Sequence, residues 1–468
     1  MNISRRFFLG SAATAVCLSK PLKAVPAEAL PTEPARVKFG VLSDVHLDHP
    51  GDEDTFLKAL AYFREAGVDG VVIAGDIANT GRVAQLRRCA DSFDKVFPNG
   101  KAPDGRRVER LFVLGNHCVD GWTWGTDQKK RADPAYRAQC IGPDRAKAWQ
   151  QCFHEEFHGV WMKDVKGYKV IGAHWGSFNE VEPFFKAHAA ELGKEKPFFF
   201  VMHPHAKNSC IGSWAWGHTD QLNKVFAQFP NCIVLSGHSH YTLTDERTVW
   251  QGAFTAVNTS SLKYSSVDYN LRDNMPGNGW GYRKFQGGQV TPRIPTADGR
   301  QGMVFTVTDA TLRISRREFV YGQSLGDDWV LPLKADPNGP MNFKKRAAAR
   351  QAPVFPPDAK LDLADVLTTK KVPCVRVGIP SVVVDRTCRV FDYEVQPVLV
   401  EDDVELPLRA KRVMAADYYL PVSKAGRISE CWFAKSDFPP QAHVCFEVRP
   451  VDCFGLKGAP IRSEIKAL

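Results

Sequence analysis

The sequence predicts an α/β fold, a layered β-sheet core flanked by helices, followed by a small C-terminal antiparallel β-sandwich. Three observations carry this reading. From residue 37 to about 319, short apolar and β-branched runs alternate with segments of helical spacing. Those runs are apolar at successive positions, as in strands covered on both faces. Past residue 360 the pattern changes to period two, with turn residues at short intervals.

In order, Val37–Leu42 reads as a strand, and 54–66 as a helix with Phe56, Leu57, Leu60 and Phe63 at helical spacing and an acidic first turn. Gly70–Ala74 is β-branched, 82–96 helical and 111–114 a short strand. Helices at 144–158, 183–192 and 221–229 are then interleaved with strands at 169–173, 198–202, 233–235 and 254–257. Residues 302–307 and 311–319 read as a closing hairpin. The resulting division is a leader over 1–29, a catalytic-type domain over 36–333, a Pro-, Ala- and Lys-rich linker over 334–360, and a sandwich over 361–468. The run Val448-Arg449-Pro450-Val451-Asp452-Cys453-Phe454-Gly455 resembles the last strands of fibronectin type III modules. Such a module is expected to offer a surface to a cell-envelope partner.

A chain of 468 residues is too long for one ordinary core, which supports two domains. At 44% hydrophobic and 24% charged residues, it is neither disordered nor fibrous in composition. Of the formal +9 charge, Arg5, Arg6, Lys20 and Lys23 fall in the leader, and the remaining surplus is unclustered. It provides no strong nucleic-acid signal. Ser4-Arg5-Arg6-Phe7-Phe8-Leu9, a short apolar run and Val25-Pro26-Ala27 resemble a twin-arginine export signal. The expected location is periplasmic or extracellular. No stretch reaches the length of a transmembrane helix. Twelve cysteines in an exported chain admit disulfides, most readily within the last hundred residues, but no CxxC pair of a zinc ribbon occurs.

The chemistry is carried by five islands: Asp44-Val45-His46, Gly75-Asp76, Gly115-Asn116-His117, His203-Pro204 and Gly237-His238-Ser239-His240. Each falls just past the carboxyl end of an expected strand, the edge along which α/β sheets bind ligands. Singly, Asp-x-His or Gly-Asp is common by chance. Five islands in this order are not. They supply two carboxylates, a carboxamide and several imidazoles, a nitrogen and oxygen set that suits manganese, iron, zinc or cobalt.

In these motifs residues 37–320 resemble the calcineurin-like metallophosphoesterases. The resemblance implies that Asp44, His46 and His240 hold one divalent ion, that Asn116, His203 and His238 hold a second, and that Asp76 bridges them. It implies His117 as the catalytic histidine rather than a ligand. Two such ions share a water and lower its pKa, so that a bridging hydroxide attacks phosphorus in line while His117 protonates the departing oxygen. The expected activity is hydrolysis of a small-molecule phosphate ester, with a phosphodiester favoured. The alternatives are a phosphomonoesterase or nucleotidase on the same site, and a non-catalytic metal-dependent binder of phosphate ligands.

Two positions depart from the family pattern. Cys118 stands where Asp or Glu usually follows Gly-Asn-His, so the acceptor that orients His117 is open, with Asp120 as a substitute. Asn79 stands where purple acid phosphatases carry a metal-binding tyrosine, so a tyrosinate-to-iron colour is not expected. Loops at 118–143 and 204–220 carry tryptophans and are expected to wall the pocket. In the second of these, His205, Trp214 and Trp216 are the candidate substrate contacts; for His174 and His218 a surface or core role is the default.

Overall fold

The apolar runs form strands that are covered on one face by helices and on the other by a second sheet. The computed structural model describes residues 33–210, 219–266, 291, 294–382, 389–402 and 404–468. The chain divides into Met1–Pro34 and Ala35–Leu468, and every element below belongs to the second unit. The export leader expected at 1–29 lies outside the described residues.

Along the chain come β1 (Val37–Leu42), α1 (Pro50–Ala66), β2 (Gly70–Ala74), α2 (Val83–Val96) and β3 (Glu109–Val113). A second set follows: α3 (Arg145–Phe153), β4 (Val160–Val165), β5 (Tyr168–Ala173), α4 (Val181–Ala187), β6 (Phe198–Val201), α5 (Thr219–Phe226), β7 (Cys232–Ser236), β8 (Val249–Gln251) and β9 (Thr255–Asn258). Then come β10 (Gln301–Val307), β11 (Thr311–Glu318), β12 (Gln323–Ser324) and β13 (Trp329–Pro332). The first sheet has the order β12-β11-β10-β1-β2-β3, with β13 also on β11; the second runs β4-β5-β6-β7-β9-β8. Strands β1, β2 and β3 are mutually parallel, as are β5, β6, β7 and β9.

The two sheets pack face to face. Phe39, Val41, Val72 and Leu111 of the first meet Val170, Phe199, Ile233 and Val257 of the second, with Phe39 and Phe199 in edge contact at 5.0 Å. On its outer face the first sheet buries Val71, Ile73 and Phe112 among Phe56, Phe63 and Phe93 of α1 and α2. Each such phenylalanine contributes roughly 1.5–3 kcal/mol through burial. Ile171, Phe200 and Val234 of the second sheet bury against Phe185 and Phe226 of α4 and α5. Continuous apolar runs are thus explained, although the pattern alone cannot tell a covering sheet from a covering helix. Strands β4 and β8 escaped the sequence reading for the opposite reason: at the sheet edges β4 is half-buried or exposed over four successive residues, and β8 alternates in burial.

The 334–360 stretch read as a linker carries a helix, α6 (Phe343–Ala348), and is tied down through that helix and the residues just after it. Arg346 donates to the Val249 carbonyl at 3.0 Å and pairs with Glu246, while Arg350 pairs with Asp452 at 2.9 Å. Beyond it lie β14 (Asp362–Leu367), β15 (Pro373–Ile379), β16 (Asp392–Glu401), β17 (Val404–Pro407), β18 (Lys411–Met414), β19 (Ser429–Ala434), β20 (His443–Val451), β21 (Ile461–Arg462) and β22 (Lys466–Ala467). They form two antiparallel sheets, β14-β15-β19 and β17-β16-β20-β21, with β18 on β16 and β22 on β20. Phe433 and Phe446 meet between the sheets at 5.3 Å. Among the described residues the bridges expected near the C-terminus are not formed: Cys374, Cys431, Cys445 and Cys453 are buried free thiols.

Buried polar contacts join this sandwich to the α/β part of the chain. Gln301 donates to the Tyr419 carbonyl (2.9 Å) and Thr244 to that of Tyr418 (2.6 Å). The fully buried Arg247 grips Asp245 through two bonds of 2.9 and 2.7 Å and lies 4.5 Å from the Phe391 ring centre. Burial alone would raise the Asp245 carboxyl, but the Arg247 charge outweighs it and holds the pKa below its ordinary value. The pair therefore adds stability above about pH 4 that is lost as pH falls through the depressed value. Asp245→Asn is expected to cost about 3–5 kcal/mol in denaturant unfolding, because a buried guanidinium loses its partner. A change below about 1 kcal/mol would show that the junction is not held by this pair.

Candidate dimetal centre

The parallel strands bring their carboxyl ends to one edge, and the five islands meet there. Asp44 and His46 follow β1, Asp76 follows β2, Asn116 and His117 follow β3, His203 follows β6, and His238 and His240 follow β7. Five of them adopt left-handed backbone: Asp44 (φ 51°), His46 (46°), Asp76 (49°), His238 (67°) and His240 (53°). Each costs about 1–2 kcal/mol for an L-residue, strain that persists where surrounding bonds over-determine it. Those bonds run between islands: Asp44 N–H donates to the Gly75 carbonyl (3.1 Å), His46 N–H to that of Asp76 (2.9 Å), and Gly237 N–H to that of His203 (2.9 Å).

Two glycines make this convergence sterically feasible. A methyl group at Gly75 (φ 99°) would run into the His203 ring, and one at Gly237 into the Ser43 hydroxyl and the Asp44 carboxylate. Gly237→Ala is therefore expected to leave far-ultraviolet dichroism unchanged while bound metal falls below one ion per chain, an overpacking cost of about 1–3 kcal/mol. Two tightly held ions in that variant would show that the loops yield without loss.

Asp44, His46 and His240 bring ligand atoms together in one cluster, and Asp76, His203 and His238 in another, within 4.8 Å in each. In the first, His240 Nε2 lies 3.0 Å from Asp44 Oδ1 and 3.1 Å from His46 Nε2. In the second, His203 Nε2 lies 3.0 Å from Asp76 Oδ2 and 3.1 Å from His238 Nδ1. Asp76 Oδ2 is also 3.8 Å from His46 Nε2, and Asp44 Oδ1 is 3.9 Å from His203 Nε2, so both carboxylates lie between the clusters. The remaining oxygens are held by the protein. Asp44 Oδ2 accepts from the Ser43 hydroxyl (2.5 Å) and His238 N–H (2.8 Å), and Asp76 Oδ1 accepts from His117 N–H (2.8 Å).

The donor set fits divalent ions. Asp44 Oδ1 and Asn116 Oδ1 are buried with no hydrogen-bond donor, and both belong to expected ligands. His203 Nδ1–H donates to the Ala74 carbonyl (2.8 Å) and His240 Nδ1–H to that of Tyr264 (3.1 Å). Each ring thereby presents an Nε2 lone pair inward, the tautomer that a metal ligand needs. Burial would raise the carboxyls, but the imidazoles hold Asp44 well below its ordinary range and Asp76 at about 2. Burial would likewise lower His203, yet Asp76 and Asp44 lift it to about 9, while burial and the His203 charge push His238 down to about 3. Two ionised carboxylates thus demand a cation, and the His203 proton supplies one unless an ion displaces it.

His117 sits beside these clusters, and its ring also comes within ligand reach of His46 and Asp76. Its Nδ1–H donates to the Asn79 carbonyl at 2.7 Å, leaving Nε2 free to exchange a proton. Burial lowers its pKa against the pull of Asp76. Neither substitute considered from the sequence orients it. Cys118 is buried, its thiol pushed up to about 12 by burial, and its sulfur accepts from Ala78 N–H (3.4 Å). Asp120 accepts instead from Trp175 Nε1–H (2.8 Å). A main-chain acceptor leaves no mark in side-chain identity, so the orienting role of the Asn79 carbonyl could not be read from the sequence.

His205 is fully buried and joins neither cluster, while Trp214, Trp216 and His218 lie outside the described residues. His174 is structural: its Nδ1 accepts from Leu114 N–H (2.9 Å), and burial lowers its pKa to about 3. The sequence reading also missed Trp175, which stacks on His238 at 6.2 Å and 26°, and Tyr264, whose carbonyl aligns His240.

Residues 37–242 match the family model for calcineurin-like phosphoesterases. This part of the chain is therefore similar to the calcineurin-like phosphoesterases. Among solved structures, the domain is similar to a dimetal phosphatase from Danio rerio, at 10% identity over 64% of this chain and 100% of that one, with a TM-score of 0.34. A purple acid phosphatase from yellow lupin (Lupinus luteus) seeds aligns at 13% identity over 63% of this chain and 53% of its own, with a TM-score of 0.40. The anchor in the inner membrane complex of Plasmodium aligns at 11% identity over 67% and 95%, with a TM-score of 0.38. No curated protein matches the sequence. Among the described residues, no helix is long and apolar enough to cross a membrane.

Proposed function

We propose that this protein is an exported two-metal phosphodiesterase whose general acid is His117. The observation that carries this reading is the pair of nitrogen and oxygen clusters sharing Asp76. Asp44, His46 and His240 would hold one ion, Asn116, His203 and His238 the other, with Asp76 between them. Two divalent ions there draw charge off the phosphoryl oxygens and lower the pKa of water. His117 contributes the proton: with Nδ1 tied to the Asn79 carbonyl, Nε2 is the atom that delivers it to the leaving oxygen. A diester is favoured because Lys263, next to the site's Tyr264, is engaged by Asp52 at 2.5 Å rather than left for a third phosphate oxygen.

Export through the twin-arginine route accords with the buried free thiols of Cys374, Cys431, Cys445 and Cys453, since that route carries proteins folded in a reducing compartment. The C-terminal sheets are then a fibronectin type III-like module facing an envelope partner. Metal analysis followed by a panel of phosphomonoesters, phosphodiesters and cyclic nucleotides tests the proposal. Two ions per chain and preferential diester turnover are expected. Metal binding with no turnover of any ester would instead identify a phosphate-ligand binder.

A further inference from the structure

Resting on the phosphodiesterase reading, we infer that Trp124 and Tyr264 are specificity-determining residues that receive ring-bearing substituents on both sides of the phosphate. Among the described phenylalanines, tyrosines and tryptophans they are the only exposed side chains, at 49% and 43%. Both rest against histidines of the centre. The Trp124 ring lies 4.5 Å from His117 at 89°, and the Tyr264 ring 4.4 Å from His240 at 45°. Between them His117 meets His46 at 4.4 Å, and His46 meets His240 at 5.0 Å. Five rings therefore form one row, with three imidazoles in the middle and an exposed aromatic at each end.

Position along that row assigns the two roles. His117 serves the leaving oxygen, so Trp124 stands beside the leaving group. Tyr264, beside His240 at the far end, stands beside the group that stays on phosphorus. The other described phenylalanines, tyrosines and tryptophans are buried or half-buried, and large apolar rings left open at a site are where ligand rings stack. A substrate with a flat ring on each side, as in a dinucleotide-like or diaryl diester, uses both. A monoester can use only one.

The test compares bis(4-nitrophenyl) phosphate, with a ring on each side, and methyl 4-nitrophenyl phosphate, with a ring only on the leaving side, using manganese-loaded protein. Trp124→Ala is expected to lower kcat/KM about tenfold on both diesters, and Tyr264→Ala about tenfold on the first but less than about twofold on the second, the scale of one lost stacking contact. Trp124→Phe and Tyr264→Phe keep a ring and are expected to retain the preference. Equal losses on both diesters for Tyr264→Ala, or no loss in either alanine variant, would overturn the assignment. If the unaltered protein turns over neither diester, the phosphodiesterase reading fails, and binding of diphenyl against dimethyl phosphate by calorimetry decides the ring pair separately. A diphenyl preference that drops in each alanine variant supports it, and an unchanged preference overturns it.

Discussion

Asp76→Asn is expected to abolish activity, by at least about 10³-fold in kcat/KM, because several kcal/mol of charge stabilisation depend on both ions being held. Asp76 Oδ2 lies 3.0 Å from His203 Nε2 and 3.8 Å from His46 Nε2, within reach of both clusters, while Asp44 Oδ1 lies 3.0 Å from His240 Nε2 and 3.9 Å from His203 Nε2. Asparagine keeps the shape and can still accept from His117 N–H, but it returns no charge. Two divalent ions would then be balanced by Asp44 alone. Metal content should fall to one ion or fewer per chain, measured on protein dialysed against a low-affinity chelator. The melting temperature of the metal-free protein is the control for folding. A variant that keeps two ions and turnover would show that Asp76 is not the shared ligand, and the assignment of a paired centre would go with it.

The second large effect is that of His117→Ala. Loss of a positioned general acid lowers turnover by about 10² to 10⁴-fold. Since the ring is tied to the Asn79 carbonyl and not to either ligand cluster, both ions should remain. The loss should also depend on the leaving group. A nitrophenolate departs without a proton and should suffer least, whereas an alkoxide-like leaving group should suffer most. A uniform loss across leaving groups, accompanied by metal depletion, would place His117 among the ligands, which its reach to His46 and Asp76 makes a meaningful contrast.

Much of this centre was legible before folding. Ligand chemistry resides in side-chain identity, and Asp44, His46, Asp76, Asn116, His203, His238 and His240 each follow a strand that its apolar run announces. Their glycines were legible as motif letters only. That Gly75 leaves room for His203, and Gly237 for Ser43 and Asp44, depends on approaches between segments more than a hundred residues apart. Asn79 illustrates the limit in another way. Its side chain donates to Asp48 at 3.0 Å, while its carbonyl orients His117.

The sequence by itself determined the α/β alternation, the order of the islands and the nitrogen and oxygen donors, because these follow from composition, periodicity and residue chemistry. Only the tertiary structure decided that two sheets cover each other, that the 334–360 stretch is packed rather than free, and that Trp124 and Tyr264 end one row of rings. Periodicity records that a face is buried, not what buries it. Ring contacts across distant loops are set by packing between segments, which no local pattern encodes.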